Sequence, residues 1–167
     1  MSEILESLRQ FTASQPVALQ WLAGLLAGAV PFVESYYGSV IGIVAGVSPF
    51  VATPAAIIGN IGSTIGVIHV AHIVREHRLA RHGHAREDGT ELQNRLHNPR
   101  LRRRFEKYGI AGVSLGSQVI LPSQITAAAL IGVGMPTRKV ALWQTLSIAL
   151  WGILYGSLAT FGVGLLT

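Results

Sequence analysis

The sequence has no cysteine and very little charge. Its 167 residues include 13 Lys or Arg and 8 Asp or Glu, which is 13% of the chain, whereas soluble domains carry about 25%. Half of the residues are hydrophobic. The absence of cysteine excludes disulfides and thiolate metal sites. The scarcity of charge favours an integral membrane protein over a soluble one, because hydrocarbon excludes charged side chains.

The few charges leave long uncharged runs. Three of these runs exceed the roughly 20 residues that a transmembrane helix needs. They are residues 10–33, 108–137 and 140–167. A fourth run, residues 35–74, is about twice as long as one span requires. We therefore expect an all-α membrane protein with several membrane segments.

Prolines interrupt the apolar sequence on both sides of the charged segment. Pro31 and Pro49 lie before it, in the runs 10–33 and 35–74, and Pro122 lies after it, in the run 108–137. A proline in a helix interior removes a backbone hydrogen bond and clashes with the preceding turn. Broken helices occur at membrane depth where protein or water satisfies the freed backbone groups. We therefore predict two re-entrant helical hairpins, at residues 31–53 and 109–133.

We expect a single membrane domain built from two related halves. Its parts are an amphipathic surface helix at 1–15, a first half at 17–74, a basic loop at 75–107 and a second half at 108–167. Three long spans are expected at 17–30, 54–73 and 141–166. Each half contains one hairpin, and counting the membrane crossings gives the two hairpins opposite orientations. Such inverted repeats are typical of secondary transporters.

Most of the charge lies in one segment, residues 75–107. It has ten Arg or Lys, five Asp or Glu and four of the six histidines. The basic excess predicts that this loop, together with the N-terminus, faces the cytoplasm of a bacterial inner membrane. The densest basic cluster is expected to contact anionic lipid headgroups rather than nucleic acid. The cluster consists of Arg100, Arg102, Arg103 and Arg104.

The histidines raise the alternative of a metal site. His69 and His72 share one face of a predicted helix, and His82 and His84 stand two residues apart. No carboxylate or thiolate completes a recognisable ligand set in the sequence. We therefore expect neither a metal ion nor another cofactor.

Glu34 is the main candidate for a functional side chain. It is the single Asp, Glu, Lys or Arg between Arg9 and Arg75. A carboxylate in hydrocarbon is unfavourable unless it pairs, becomes neutral or lines water. This position is typical of an acid that couples transport to a proton or another cation. Alternatively, Glu34 lies solvated at the membrane interface, where its neighbours Tyr36 and Tyr37 are common residues.

The tip of the second hairpin is unusually polar for an apolar region. Gln118, Ser123 and Gln124 surround Pro122 there and are candidate binding residues. The N-terminal amides of a half-helix beginning at this proline would attract anionic groups. Alternatively, the polar side chains only satisfy the backbone groups that the break frees.

Asn60 is the third candidate, because an amide in lipid requires a hydrogen-bonding partner. Its neighbourhood contains Ser63, Thr64 and the glycines 59, 62 and 66. Small residues at this spacing usually indicate close helix packing. We therefore expect the small residues to pack against a neighbouring helix and Asn60 to bind the substrate or ion.

Two parts of the sequence resemble the small multidrug export family, also called small multidrug efflux. The first is Pro31 to Ser39, followed by Gly59 and Asn60. The second comprises Lys107 to Gly109, Leu121 to Gln124, and Trp143 to Gly152. The layout is also similar to the DedA/VTT superfamily of paired re-entrant hairpins, whose members are linked to proton-coupled lipid-carrier transport and lipid scrambling. The resemblance implies that Glu34 and the tip around Pro122 form the functional pair.

The sequence therefore predicts a membrane transporter and not an enzyme. The leading function is proton-coupled export of small cationic or amphipathic compounds. The first alternative is a lipid or polyprenyl-phosphate flippase or scramblase, and the second is an accessory subunit of a larger membrane complex. Expected partners are membrane lipids and a small-molecule or lipid substrate, with no nucleic acid. The short chain is compatible with a homodimer or a larger complex.

Overall fold

The computed structural model describes residues 14–81, 109–118 and 120–166. These residues form six helices and no strand, which confirms the all-α prediction. The helices are α1 (Val17–Ala29), α2 (Glu34–Val44), α3 (Pro49–Arg81), α4 (109–117), α5 (Ser123–Gly132) and α6 (Thr137–Leu166). Residues 1–13 of the amphipathic helix predicted at 1–15 lie outside the described residues, as does the basic cluster Arg100, Arg102, Arg103 and Arg104.

Two of the described helices are long and apolar enough to cross a membrane, where the sequence predicted three spans. They are the stretches Pro49–Arg78 of α3 and Thr137–Leu165 of α6, with 30 and 29 residues. Helix α1 has only 13 residues. At 1.5 Å per residue it is about 20 Å long, which is less than the roughly 30 Å of a hydrocarbon core.

Pro49 begins helix α3. Its missing N–H is no loss there, because the first N–H groups of a helix have no partner within the helix. Val51 and Ala52 donate their N–H groups to the Ser48 carbonyl at 2.8 and 2.9 Å, which closes the first turn. Helix α2 ends at Val44, and the turn before Pro49 contains Gly46 at φ 91°.

The predicted boundary at Pro54 is wrong. Helix α3 continues through Pro54 for 33 residues, so the return arm of the first predicted hairpin and the following span are one helix. Pro54 lies in the second turn and removes one hydrogen bond, to the carbonyl four residues earlier. The bonds of the surrounding turns are sufficient to keep the helix continuous.

Pro31 and Pro122 also lie between helices. Helix α1 ends at Ala29, the next residue is extended, and α2 begins at Glu34. Pro122 is the cap residue before α5, with φ −54° and ψ 143°. The second apolar region is therefore two short helices, α4 and α5, separated at Pro122. A turn with Gly134 at φ 87° then leads into α6.

The contacts divide the chain into two compact units. Unit 1 contains the described residues up to Ser63 and those from Ile148 onward, and unit 2 runs from Thr64 to Ser147. Each unit has an apolar cluster. In unit 1 it is Ile43, Val47 and Ala52, packed against Ala159 and Val163. In unit 2 it is Ile68, Ala127, Leu130, Ile131 and Val140, packed against Ile110, Val113, Met135 and Ala141.

Helices α1 and α3 touch through glycine. A Cβ atom at Gly28 would overlap the Ala56 carbonyl, and one at Gly59 would overlap the Leu25 carbonyl. Only residues without a side chain allow such close backbone approach. Close packing is therefore confirmed at Gly59. It does not extend to Gly62, where an added Cβ would meet none of the described atoms within 4 Å.

Candidate functional site

Glu34 is completely buried, with 0% exposure, and lies at the first position of α2. Its backbone has φ 53°, and that of Phe32 has φ 70°. Residues with a Cβ rarely adopt this left-handed region, which costs about 1–2 kcal/mol at each position. The strained turn brings the chain from α1 into α2 and directs this acid into the protein. Strain of this kind often accompanies functional residues.

Asn60 contacts Glu34. The Asn60 Nδ2 group donates to Glu34 Oε2 at 3.5 Å, and both residues are 0% exposed. This distance is at the long limit of a hydrogen bond. Asn60 follows Gly59, the residue at which α3 touches α1. Two predicted site residues, far apart in sequence, are thus brought together in unit 1.

Two serines on α2 connect it to its surroundings. Ser35 Oγ donates to the Ile148 carbonyl at 2.9 Å, and Ser39 Oγ donates to the Ser35 carbonyl at 2.6 Å. Both side chains are buried. Sequence reasoning assigned no role to them, although their spacing of four residues places them on one helix face. The Ser35 bond fixes α2 against α6 immediately beside Glu34.

An aromatic cluster follows Glu34 in unit 1. The ring centroids of Tyr36 and Tyr155 are 5.5 Å apart, those of Tyr36 and Tyr37 are 4.7 Å apart, and those of Trp151 and Tyr155 are 5.9 Å apart. Tyr37 is about half exposed. The faces of such rings attract cations. The acid and two of these rings therefore lie in the first turn of α2, and the other two rings belong to α6.

The predicted residues around Pro122 form a second polar cluster, within unit 2. Ser123 and Gln124 are the first two residues of α5, and Gln118 follows α4. All three are buried. The Ser123 hydroxyl shares a 3.0 Å hydrogen bond with that of Thr64 on α3. The sequence suggested only helix packing for Thr64, and the structure gives it a polar contact as well.

Helix α6 contributes two buried polar residues that sequence reasoning missed. Ser147 Oγ donates to the Ser114 carbonyl at 2.7 Å, which joins α6 to α4. Gln144 lies one turn earlier on the same face of α6 and is completely buried. A signal for Gln144 was present, because it is an amide within the uncharged run from Val140 to Thr167.

The histidines that the structure describes lie near the end of α3. His72 Nε2 is 3.3 Å from Glu76 Oε1, one turn away. His77 Nδ1 is 3.0 Å from the Ile73 carbonyl. Within the described part of the chain, no group of three His, Cys, Asp or Glu side chains could hold a metal ion.

Comparisons with protein-family models, with curated proteins and with solved structures found no match for this chain. Unit 1 offers one buried acid, a neutral amide donor and aromatic rings. Such a group can exchange a proton for a cation.

Proposed function

We propose that the protein is an integral membrane transporter in which Glu34 binds either a proton or the positive charge of a small cationic substrate. One observation carries the proposal. The completely buried Glu34 carboxyl group, on a strained backbone, faces a neutral amide inside a helical protein with an apolar exterior.

The distribution of polar and apolar residues supports placement in a membrane. Large apolar side chains lie on the surface, with Phe50 and Leu165 each 88% exposed, while an acid, amides and hydroxyls are buried. Only 22% and 17% of the apolar stretches of α3 and α6 are buried. The core helix of a soluble protein would be mostly buried. An apolar surface of this extent requires lipid or a protein partner.

Proton coupling follows from the surroundings of Glu34. A buried carboxylate loses its hydration, so this carboxyl group requires either a proton or another positive charge beside it. An arriving cation can take the place of the proton. The Asn60 amide is compatible with both forms, since its NH₂ group can donate to a carboxylate and its carbonyl can accept from a carboxylic acid. Proton binding and cation binding therefore become mutually exclusive states of one side chain.

The aromatic cluster favours a cationic, amphipathic substrate. Tyr36 and Tyr37 follow the acid within three residues along the chain, and Tyr155 packs against both of them. Trp151 packs against Tyr155 and extends the cluster within unit 1. Cation–π contacts contribute about 0.5–2 kcal/mol each. The rings also pack against apolar parts of a substrate. In unit 2, we assign Gln118, Ser123 and Gln124 to the lining of the substrate path.

The arrangement in the membrane is part of the proposal. Helix α2 is 11 residues long, or about 16 Å, so it would enter the bilayer without crossing it. The pair α4 and α5 would do the same from the opposite side, as an inverted repeat. Residues 75–107 would face the cytoplasm of a bacterial inner membrane and contact anionic lipid.

Reconstitution into liposomes tests the function. The purified protein is placed in liposomes with a pH gradient, and uptake of the fluorescent cation ethidium is recorded. We expect uptake that depends on the gradient and disappears in Glu34→Gln. The exposed acid variant Glu76→Gln is the matched control and should transport normally.

Equal gradient-driven uptake by Glu34→Gln and the parent protein would refute the coupling role. Absence of ethidium uptake together with transbilayer movement of a fluorescent phospholipid would instead indicate the lipid flippase.

A further inference from the structure

Unit 2 contains buried polar atoms that have no hydrogen-bond partner among the described residues. Both ends of the Gln144 amide are buried and have no hydrogen-bond partner among the described residues, and the same is true of three hydroxyl oxygens. These hydroxyls belong to Ser114, Ser117 and Thr126. Gln144 and Ser114 are 0% exposed and Thr126 is 4% exposed. Buried polar groups in native proteins nearly always have partners, so this concentration requires an explanation.

These hydroxyls do not behave like other hydroxyls in the same chain. Ser39 donates to the carbonyl four residues earlier, and Thr160 does so to the Gly156 carbonyl at 2.8 Å. This bond is the ordinary way in which a helix satisfies serine or threonine. Ser114 and Thr126 lie on helices as well, yet within the described ranges neither hydroxyl makes such a bond. Among the described residues, both hydroxyls therefore depart from the usual pattern.

The unsatisfied groups lie on three helices that meet. Ser147 on α6 bonds to the Ser114 carbonyl on α4, and Gln144 is one turn from Ser147. Ala127 of α5 and Val140 of α6 belong to one apolar cluster, against which α4 packs. Thr126 is one turn from Leu130, Gln144 one turn from Val140, and Ser114 one turn from Ile110, so each polar residue shares a helix face with a residue of this cluster or one packed against it. The polar groups therefore lie on the helix faces that the cluster joins.

We propose that Gln144, Ser114 and Thr126 form a binding site for a neutral hydrogen-bonding ligand, which is either water or the hydroxyl or amide group of a small molecule. Every member of the site is uncharged, so the site compensates no ionic charge. The Gln144 amide presents a donor and an acceptor side by side, and each hydroxyl can act as either. This proposal is independent of proton coupling at Glu34.

The protein has no native cysteine, so a single cysteine introduced at the site can be labelled specifically. The variant Ser114→Cys is the probe, because the Ser114 hydroxyl bonds nothing in the described structure and the Ser147 bond goes to the backbone. Val140→Cys is the matched control, since Val140 is equally buried but belongs to the apolar cluster. Both purified variants are treated with neutral 2-hydroxyethyl methanethiosulfonate and with a trimethylammonium analogue.

We expect Ser114→Cys to react with the neutral reagent at least about tenfold faster than Val140→Cys, because a thiol must ionise in a polar environment to react. The charged reagent should react more slowly at Ser114→Cys than the neutral one. Thr126→Cys provides a second probe if Ser114→Cys does not fold. Equal rates for the probe and Val140→Cys would overturn the proposal.

The isosteric variant Gln144→Met tests the amide. Combined with Ser114→Cys, it should slow labelling about tenfold, since it removes the main hydrogen-bonding group of the site. On its own it should not raise the melting temperature. A clear rise would show that the amide is truly unsatisfied and that the site holds no ligand. If molar acetamide or glycerol slows the labelling of Ser114→Cys, the ligand is a small molecule. If labelling proceeds at the same rate in their presence, the ligand is water.

Discussion

Substitution of Gly59 by alanine should separate helix α1 from α3 and displace Asn60. A Cβ atom at Gly59 would overlap the Leu25 carbonyl, which is backbone and cannot rotate away. Overpacking of this kind costs typically about 1–3 kcal/mol. Gly62→Ala is the matched control one turn along the same helix, because its added Cβ meets nothing among the described atoms within 4 Å.

The comparison of the two variants isolates the packing effect. Alanine is favoured over glycine in a helix by about 0.5–1 kcal/mol, and this gain is common to both. We therefore expect Gly62→Ala to be slightly more stable than the parent protein and Gly59→Ala to be less stable than Gly62→Ala by about 1–3 kcal/mol. The free energy of unfolding in mixed micelles, measured by circular dichroism during denaturant titration, gives the difference.

The same pair of variants tests the functional consequence. Asn60 adjoins Gly59 and is already at 3.5 Å from Glu34, so a shift of α3 against α1 should break this bond. Ethidium uptake should fall in Gly59→Ala and be retained in Gly62→Ala. If both variants have the same stability and the same uptake, the contact between α1 and α3 is not as described.

Three further changes probe the two units. Asn60→Leu should lower the free energy of unfolding by about 1–3 kcal/mol, because the buried Glu34 carboxyl loses the Asn60 amide donor. A double-mutant cycle should show a smaller effect of Asn60→Leu when Glu34→Leu is also present. Ser147→Ala should lower the free energy of unfolding by about 1 kcal/mol, and the exposed Ser157→Ala should leave it unchanged. Tyr155→Leu should weaken ethidium binding about 3- to 30-fold in a fluorescence titration, because one ring of the aromatic cluster is removed.

The sequence was sufficient to predict the helical class, because long apolar runs form helices in hydrocarbon. For Glu34 it left two positions open, buried in the protein or solvated at the membrane interface, and the structure buries it. Pro31, Pro49 and Pro122 lie at helix boundaries for a similarly local reason. The contact between Glu34 and Asn60 could be anticipated only in part, as a requirement that a buried amide finds a partner.

Other features depend on tertiary contacts that no local pattern encodes. Pro54 does not interrupt α3, because a single missing bond is outweighed by the rest of a 33-residue helix. Ser35 bonds a carbonyl 113 residues away. Gly59 and Gly62 have the same sequence signature, yet only Gly59 meets α1. Gln144 was missed because an isolated amide in an apolar run gives no indication of what surrounds it.

The most direct measurement is labelling of Glu34 by a hydrophobic carbodiimide, which reacts with protonated carboxyl groups in apolar surroundings. The protein in lipid nanodiscs is treated over a range of pH, with and without ethidium, and the modified residue is quantified by mass spectrometry. We expect modification of Glu34 that rises as the pH falls and is suppressed by ethidium, while exposed Glu76 remains unmodified. Labelling of Glu34 that is absent, or that depends neither on pH nor on the cation, would contradict its role as the residue shared by proton and substrate.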